Sequence, residues 1–520
     1  MPTVREAVMN LWRELGMTTI FGNPGSTELP LFRDFPADFR YVLGLQESIV
    51  VGMADGYAQA TGNAAVVNLH SAAGVGHAMG NIFTAYRNRT PLVITAGQQA
   101  RSILPYEPFL FADEPAELPK PYVKWATQPA RAEDVPAALA RAYYLAMQEP
   151  CGPTFVSIPV DDWDRTTDIV PKRTVSRSLH PDPAMVTSIA RKLDACTRPA
   201  IVVGPGSDRD GAWDDVVSLA ERHEALVWVS PMSPRCSFPE RHRLFAGFLP
   251  AIREQIVQRL QGHDLILALG APVFTYHIEG FGPHVPEGAE LVQMIGDPGV
   301  AAWTPLGTAI VCNVQHGVHA ILEHSHPPSR SAASGRPAPP RVTADTRISI
   351  AYLMQTLADI RPADSILVEE SPSSRRTMQM YLPIERPRSF FTCASGGLGH
   401  SLPASVGVAL AKSATNRVIG LFGDGSAMYS IQALWSAADL NLPLTVVIVN
   451  NGGYAALSEF TEHFNVKEPL GTKLPGIDFV GIARSLGCEA ARVNKPEELR
   501  LALCAALKST KPHLVDVIIP

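Results

Sequence analysis

Largely apolar runs of four to six residues, alternating with longer stretches of helical spacing, recur in three blocks along this chain. Short, largely apolar strands alternating with helical patterns are the signature of parallel sheets flanked by helices. The first block contains residues 64–69 (AAVVNL), 91–96 (PLVITA) and 154–159 (TFVSIP). The second contains 200–204, 226–229 and 265–269, and the third 417–422, 444–449 and 514–518. The reading is an α/β chain of three doubly wound parallel-sheet domains, at 1–180, 181–325 and 342–520. At the end of the first of these, residues 165 to about 181 read as a polar connector. Residues 326–341 (HPPSRSAASGRPAPPR), rich in breakers and poor in anything to bury, read as the linker before the third. A length of 520 residues suits several cores and not one.

Composition serves mainly to exclude. A formal charge of -6 leaves no basic surplus for a nucleic-acid partner. The strongest apolar run, 265–274, is too short to span a membrane. The first residues mix acids and bases among apolar positions, as an amphipathic surface helix does and a signal peptide does not. Seven scattered cysteines, none spaced as CxxC, argue against zinc and disulfides, so a cytoplasmic protein is expected.

Chemistry enters at two strand ends. Gly423-Asp424-Gly425-Ser426 follows one apolar strand and Asn450-Asn451-Gly452-Gly453 the next. Ligands of open parallel sheets bind at the carboxyl ends of strands, so both motifs point to one crevice. The glycines permit a tight turn and close approach to a phosphate. Asp424 and Asn451 offer hard oxygen atoms suited to magnesium. Asp-Gly alone is a common turn, but the pair with a helical pattern between is far more specific.

The motif pair, with 24 residues between Gly425 and Asn450, resembles the signature of thiamine-diphosphate enzymes. The resemblance implies that Asp424, Asn451 and the Gly453 carbonyl hold magnesium (or calcium) on the cofactor's diphosphate. Gly423, Gly425, Ser426 and Tyr454 then border it, and the first and third domains bind the pyrimidine and diphosphate ends. Such an enzyme needs a carboxylate against the aminopyrimidine, and Glu47 in Gly44-Leu45-Gln46-Glu47-Ser48 matches it by context. Taken alone, Glu47 reads equally as a first-turn acid favouring a helix dipole.

Further segments resemble the benzoylformate decarboxylases within that family. They are FGNPGS (21–26), ADGYA (54–58), NLHSAAG (68–74), LGAPVFTYH (269–277) and GGLG (396–399). By that resemblance Ser26 binds the substrate carboxylate, and His70 and His277 move protons. Leu398 wedges the cofactor into a bent shape, and Ser373 and Ser374 contact its phosphate end. Phe109, Leu457 and Phe460 line the substrate pocket. Either histidine could instead be a structural hydrogen-bonder, and Leu398 simply core. The implied reaction is decarboxylation of an aromatic 2-oxo acid such as benzoylformate, by a dimer or a dimer of dimers, with neither nucleic acid nor membrane as partner.

Several positions depart from the pattern. Gly453 and Ala455 stand for threonine and glycine, Ser458-Glu459 for a basic-aromatic pair, Phe109 for leucine and His77 for asparagine. They leave the acyl group open. A carboligase of the acetohydroxyacid-synthase kind, or another 2-oxo-acid decarboxylase, is the alternative. However, 203–207 (VGPGS) does not complete a GxGxxG, so no flavin is expected. An inactive cofactor-binding protein would be expected to lack Glu47 or the histidines, and all are present.

Overall fold

A computed structural model describes residues 1–467 and 469–520, without the side chains of residues 458, 459 and 462. Three six-stranded sheets form, one in each block of the sequence. The first contains β1 (Thr19–Gly22), β2 (Arg40–Leu43), β3 (Ala65–Leu69), β4 (Leu92–Gln98), β5 (Ala126–Thr127) and β6 (Thr154–Pro159). Their order is β2-β1-β3-β4-β6-β5, every pairing parallel.

The second sheet contains β7 (Pro199–Val203), β8 (Leu226–Val229), β9 (Phe245–Phe248), β10 (Leu265–Leu269), β11 (Glu290–Ile295) and β12 (Thr308–Val311). Its order, β12-β11-β10-β7-β8-β9, is that of many dinucleotide-binding sheets. The third contains β13 (Ile366–Glu370), β14 (Phe390–Thr392), β15 (Val418–Gly423), β16 (Leu444–Asn450), β17 (Glu489–Val493) and β18 (His513–Ile518). Its order, β14-β13-β15-β16-β18-β17, repeats that of the first.

The largely apolar runs are explained by cover on both faces. In β7, Ile201 and Val203 join one buried cluster while Ala200 and Val202 join another. By contact density the chain forms two compact units. One comprises Met1–Val175, Thr343–Arg375 and Cys393–Pro520, and the other Ser176–Val342 and Arg376–Thr392. All seven cysteines are free thiols. No described helix is long and apolar enough to cross a membrane.

Local rules set the element ends. Helix Val4–Glu14 starts at a capping box in which Thr3 and Glu6 exchange hydrogen bonds, and it buries Val4, Val8, Leu11 and Trp12. Helix Glu47–Thr61 is capped by Gln46, whose side chain accepts from the N–H groups of Ser48 and Ile49. It packs against helix Ser401–Lys412 at a separation that glycine alone permits. A Cβ on Gly56 would lie 2.0 Å from the Ala404 carbonyl oxygen, and one on Gly407 1.9 Å from that of Met53. Beside this contact the buried Asp55 meets His400 Nε2 at 3.1 Å. The ADGYA segment is thus a packing motif that fixes the helix carrying Glu47.

The linker region has neither helix nor strand but is firmly held. Arg330 donates to the carbonyls of Leu193 (2.5 Å) and Cys196 (2.8 Å), at the end of helix Pro183–Ala195. Arg336 lies over Phe245 at 4.7 Å. Its long side chains supply what its composition lacks in apolar bulk.

Candidate active site

In the first sheet the strand order reverses between β1 and β3, where ligands of open α/β sheets bind. The loop after β1 carries Ser26, and His70 directly follows β3. Ser26 is exposed, whereas its neighbours Thr27 and Glu28 are buried. Glu28 Oε2 lies 2.8 Å from His70 Nδ1, and Thr27 Oγ1 3.1 Å from the same nitrogen. The structure therefore brings Ser26 and His70 to one crevice and adds Glu28, which sequence reasoning missed.

The backbone beside His70 is strained. Ser71 has φ +48° and Leu110 φ +63°, and the Ser71 hydroxyl donates to the Leu110 carbonyl at 2.8 Å. Neither residue is glycine, and such conformations persist where surrounding structure imposes them. That bond docks the loop bearing Phe109, which is 88% exposed, next to His70.

Glu47 opens its helix directly beyond β2, the neighbour of β1. Its side chain is 12% exposed, and Oε2 lies 3.2 Å from His77 Nδ1. A Cβ on Gly74 would sit 3.3 Å from Glu47 Cγ, so the NLHSAAG segment leaves room for this carboxylate. A carboxylate serving only the helix dipole needs no such enclosure. Glu47, Ser26 and His70 thus stand at the ends of three adjacent strands.

The third sheet reverses between β13 and β15. Asp424 is 3% exposed, and its Oδ1 accepts from the Gly425 N–H at 2.7 Å. The Gly453 N–H is shared by Asp424 Oδ2 (2.9 Å) and Asn451 Oδ1 (3.2 Å), so two hard oxygens lie side by side. Asn450 faces elsewhere, donating to Asp516 at 2.9 Å. Burial pushes the Asp424 carboxyl up, and the N–H groups of Gly425 and Gly453 counter it. The Tyr454 ring closes on Gly425, where a Cβ would meet it at 2.4 Å.

This edge fits a divalent cation on a diphosphate. The buried hydroxyls of Ser371 and Ser374 find no hydrogen-bond partner among the described residues. A Cβ on Gly423 would stand 3.6 Å from Ser426 Oγ and 3.9 Å from Ser371 Oγ, so these hydroxyls border the glycine turn. Phosphate oxygens would satisfy such groups. Among the described residues no cluster of three or more His, Cys, Asp or Glu could hold a metal alone. A cation here must draw on amide, main-chain and phosphate oxygens, as magnesium does. Ser373 is half-buried on the same turn. Ser371 escaped the sequence reading.

Leu398 is half-buried in a loop that Glu370 fixes from below. The Glu370 carboxylate accepts from the N–H groups of Gly399 (2.6 Å), His400 (3.0 Å) and Ser401 (2.7 Å). Leu457 and Phe460 lie on helix Ala455–His463, which packs against the 372–374 turn. The side chains of residues 458 and 459 lie outside the described residues. His277 belongs to the other unit, where it is exposed and its backbone N–H donates to the Ala251 carbonyl at 2.9 Å.

Models of the N-terminal TPP binding domain, the central domain and the C-terminal TPP binding domain of thiamine pyrophosphate enzymes match residues 2–114, 186–321 and 373–517. The chain belongs to the thiamine pyrophosphate enzymes. Benzoylformate decarboxylase of Pseudomonas aeruginosa is 44% identical to it over 522 residues, 99% of either chain. The solved thiamine diphosphate-dependent 4-hydroxybenzoylformate decarboxylase of Rhodococcus jostii RHA1 matches with TM-score 0.96 and 40% identity. The benzoylformate decarboxylase of Polynucleobacter necessarius matches with TM-score 0.97 and 38% identity. Either alignment covers 100% of this chain and 99% of the other. The protein is an enzyme of the benzoylformate decarboxylase type, a thiamine-diphosphate-dependent carboxy-lyase that acts on a 2-oxo acid.

Proposed function

We propose that this enzyme converts an aromatic 2-oxo acid, benzoylformate or a ring-substituted relative, to the aldehyde and carbon dioxide, with magnesium anchoring the cofactor. The observation that carries the reading is the gathering of Ser26, the Glu28–His70 pair and Glu47 at adjacent strand ends of one sheet. Bound thiamine diphosphate supplies the nucleophilic carbon and electron sink that a departing carboxylate requires.

The chain's own residues bind, orient and move protons. Asp424, Asn451 and the Gly453 carbonyl would hold the metal, while Gly423, Gly425, Ser426, Tyr454, Ser371, Ser373 and Ser374 would surround the diphosphate. Glu47 would hold the aminopyrimidine end of the cofactor and offer its carboxylate for proton exchange there, and Leu398 would support the cofactor from the 396–399 loop. Ser26 takes the substrate carboxylate. His70 and His277 transfer protons at the substrate oxygen and the reacting carbon, steps worth roughly 10²–10⁴-fold per positioned group. Phe109, Leu457 and Phe460 enclose the aryl ring, and two subunits at least complete the enzyme.

Reconstitution with thiamine diphosphate and magnesium, followed by a panel of aryl and aliphatic 2-oxo acids, tests the reading. Aldehyde and carbon dioxide from benzoylformate or a substituted benzoylformate are expected. Turnover of aliphatic acids alone, or product only when an acceptor aldehyde is added, would overturn it. Elution of the active holoenzyme as a monomer would overturn the assembly.

A further inference from the structure

Glu28 is 1% exposed and is met by hydrogen-bonding groups on every side. Its Oε1 accepts from the Gly97 N–H at 3.0 Å and from the Thr27 hydroxyl at 2.6 Å. Its Oε2 accepts from the Gly25 N–H at 2.8 Å and faces His70 Nδ1 at 2.8 Å. Three of the four partners can only donate to it, or are already doing so. A carboxylate in that setting is an acceptor, so His70 Nδ1 carries a hydrogen. Thr27 Oγ1, 3.1 Å from Nδ1, has committed its own hydrogen to Glu28 and presents a lone pair to the ring.

The consequence falls on the other ring nitrogen. With Nδ1–H held, Nε2 is the atom left to take or give a proton. The His70 side chain is 19% exposed, and no described residue bonds Nε2. An amide at position 28 could not do the same work. Each carboxylate oxygen receives one backbone N–H, so either flip of a glutamine sets its NH₂ against Gly25 or Gly97. The space is equally particular. A Cβ on Gly97 would lie 2.0 Å from Glu28 Oε1, and one on Gly25 2.2 Å from His70 Nδ1.

We propose that Glu28 is a positioning residue that locks His70 in its Nδ1–H tautomer and so makes Nε2 its proton-transferring atom. The inference rests on the proton-transfer role given to His70 above. It assigns Glu28 no contact with substrate or cofactor.

The test is a double-mutant cycle of Glu28→Gln and His70→Ala in the reconstituted holoenzyme, with Glu28→Asp as the conservative variant. Glu28→Gln should lower kcat by about 10²-fold while KM and cofactor affinity hold. In the His70→Ala background the same change should alter kcat by no more than about twofold. Glu28→Asp keeps the acceptor and should lie closer to the wild type than Glu28→Gln. The ¹⁵N shifts of labelled His70, assigned by their loss in His70→Ala, should place the hydrogen on Nδ1. Equal losses from Glu28→Gln in both backgrounds, or a hydrogen on Nε2 in the wild type, would overturn the proposal. Wild-type turnover by His70→Ala would instead overturn the role of His70 itself.

Discussion

The first and third sheets share one strand order yet present different chemistry at their reversal points. The first offers titratable side chains, with Glu28, Glu47 and His70 close to backbone that leaves room for them. The third offers one buried carboxylate, an amide, glycine N–H groups and unsatisfied hydroxyls. On the proposed reading, one edge moves protons and the other holds charge. The scaffold fixes where a site lies, and the residues after each strand decide what it does.

Asp424→Ala should break the charge-holding edge outright. Turnover should be lost, and affinity for thiamine diphosphate in the presence of magnesium should fall by at least about 10²-fold in calorimetric titration. A loss below tenfold would leave that edge without its assigned role. Gly25→Ala should damage the proton-moving edge instead. Its Cβ would lie 2.2 Å from His70 Nδ1, so the ring must shift. We expect kcat/KM to fall by about 10²-fold with cofactor affinity unchanged.

Ser371→Ala sharpens the comparison through opposite signs. Its hydroxyl is buried without a partner, so the apoenzyme should melt no lower and should gain up to about 1 kcal/mol. Cofactor affinity should fall several-fold in the same protein. A stability loss with unchanged affinity would remove Ser371 from the phosphate end.

The second sheet lies outside the comparison and serves as its control. Burial pushes the Glu240 carboxyl up to about 8, and Arg336 at 3.9 Å does not offset it. Folding therefore favours the protonated form, and the stability this contributes is complete below about pH 4.5. It is lost as pH rises toward 8, at up to about 1.4 kcal/mol per pH unit. Glu240→Gln should flatten that slope in calorimetric melting curves between pH 5 and 8, at little cost in turnover. Burial and Arg330 push His223 down to about 4, and its contribution has the opposite sign. It is full above about 6.5 and lost as pH falls toward 4, so the two compensate only at acid pH.

The parts legible in the sequence are those carried by local pattern. Short, largely apolar runs between helical patterns indicated the parallel sheets, and glycine, aspartate and asparagine after two of them marked the third sheet's edge. Ser26, His70 and Glu47 became candidates through resemblance and not through spacing, and the structure puts them at the ends of adjacent strands. Glu28 was not legible, because its partner lies 42 residues away and only the strand reversal brings them together. Ser371 was passed over for Ser373 and Ser374, since an unsatisfied hydroxyl is a property of packing. The linker reads as having nothing to bury, but Arg330 and Arg336 anchor it through carbonyls and ring faces that composition does not reveal.

The division of labour between the two edges is tested most directly by titrating thiamine diphosphate with magnesium into Glu47→Gln and following turnover in the same samples. The account predicts a dissociation constant close to that of the wild type, with turnover reduced by about 10²-fold or more. Affinity and turnover falling together, or turnover unchanged, would contradict it.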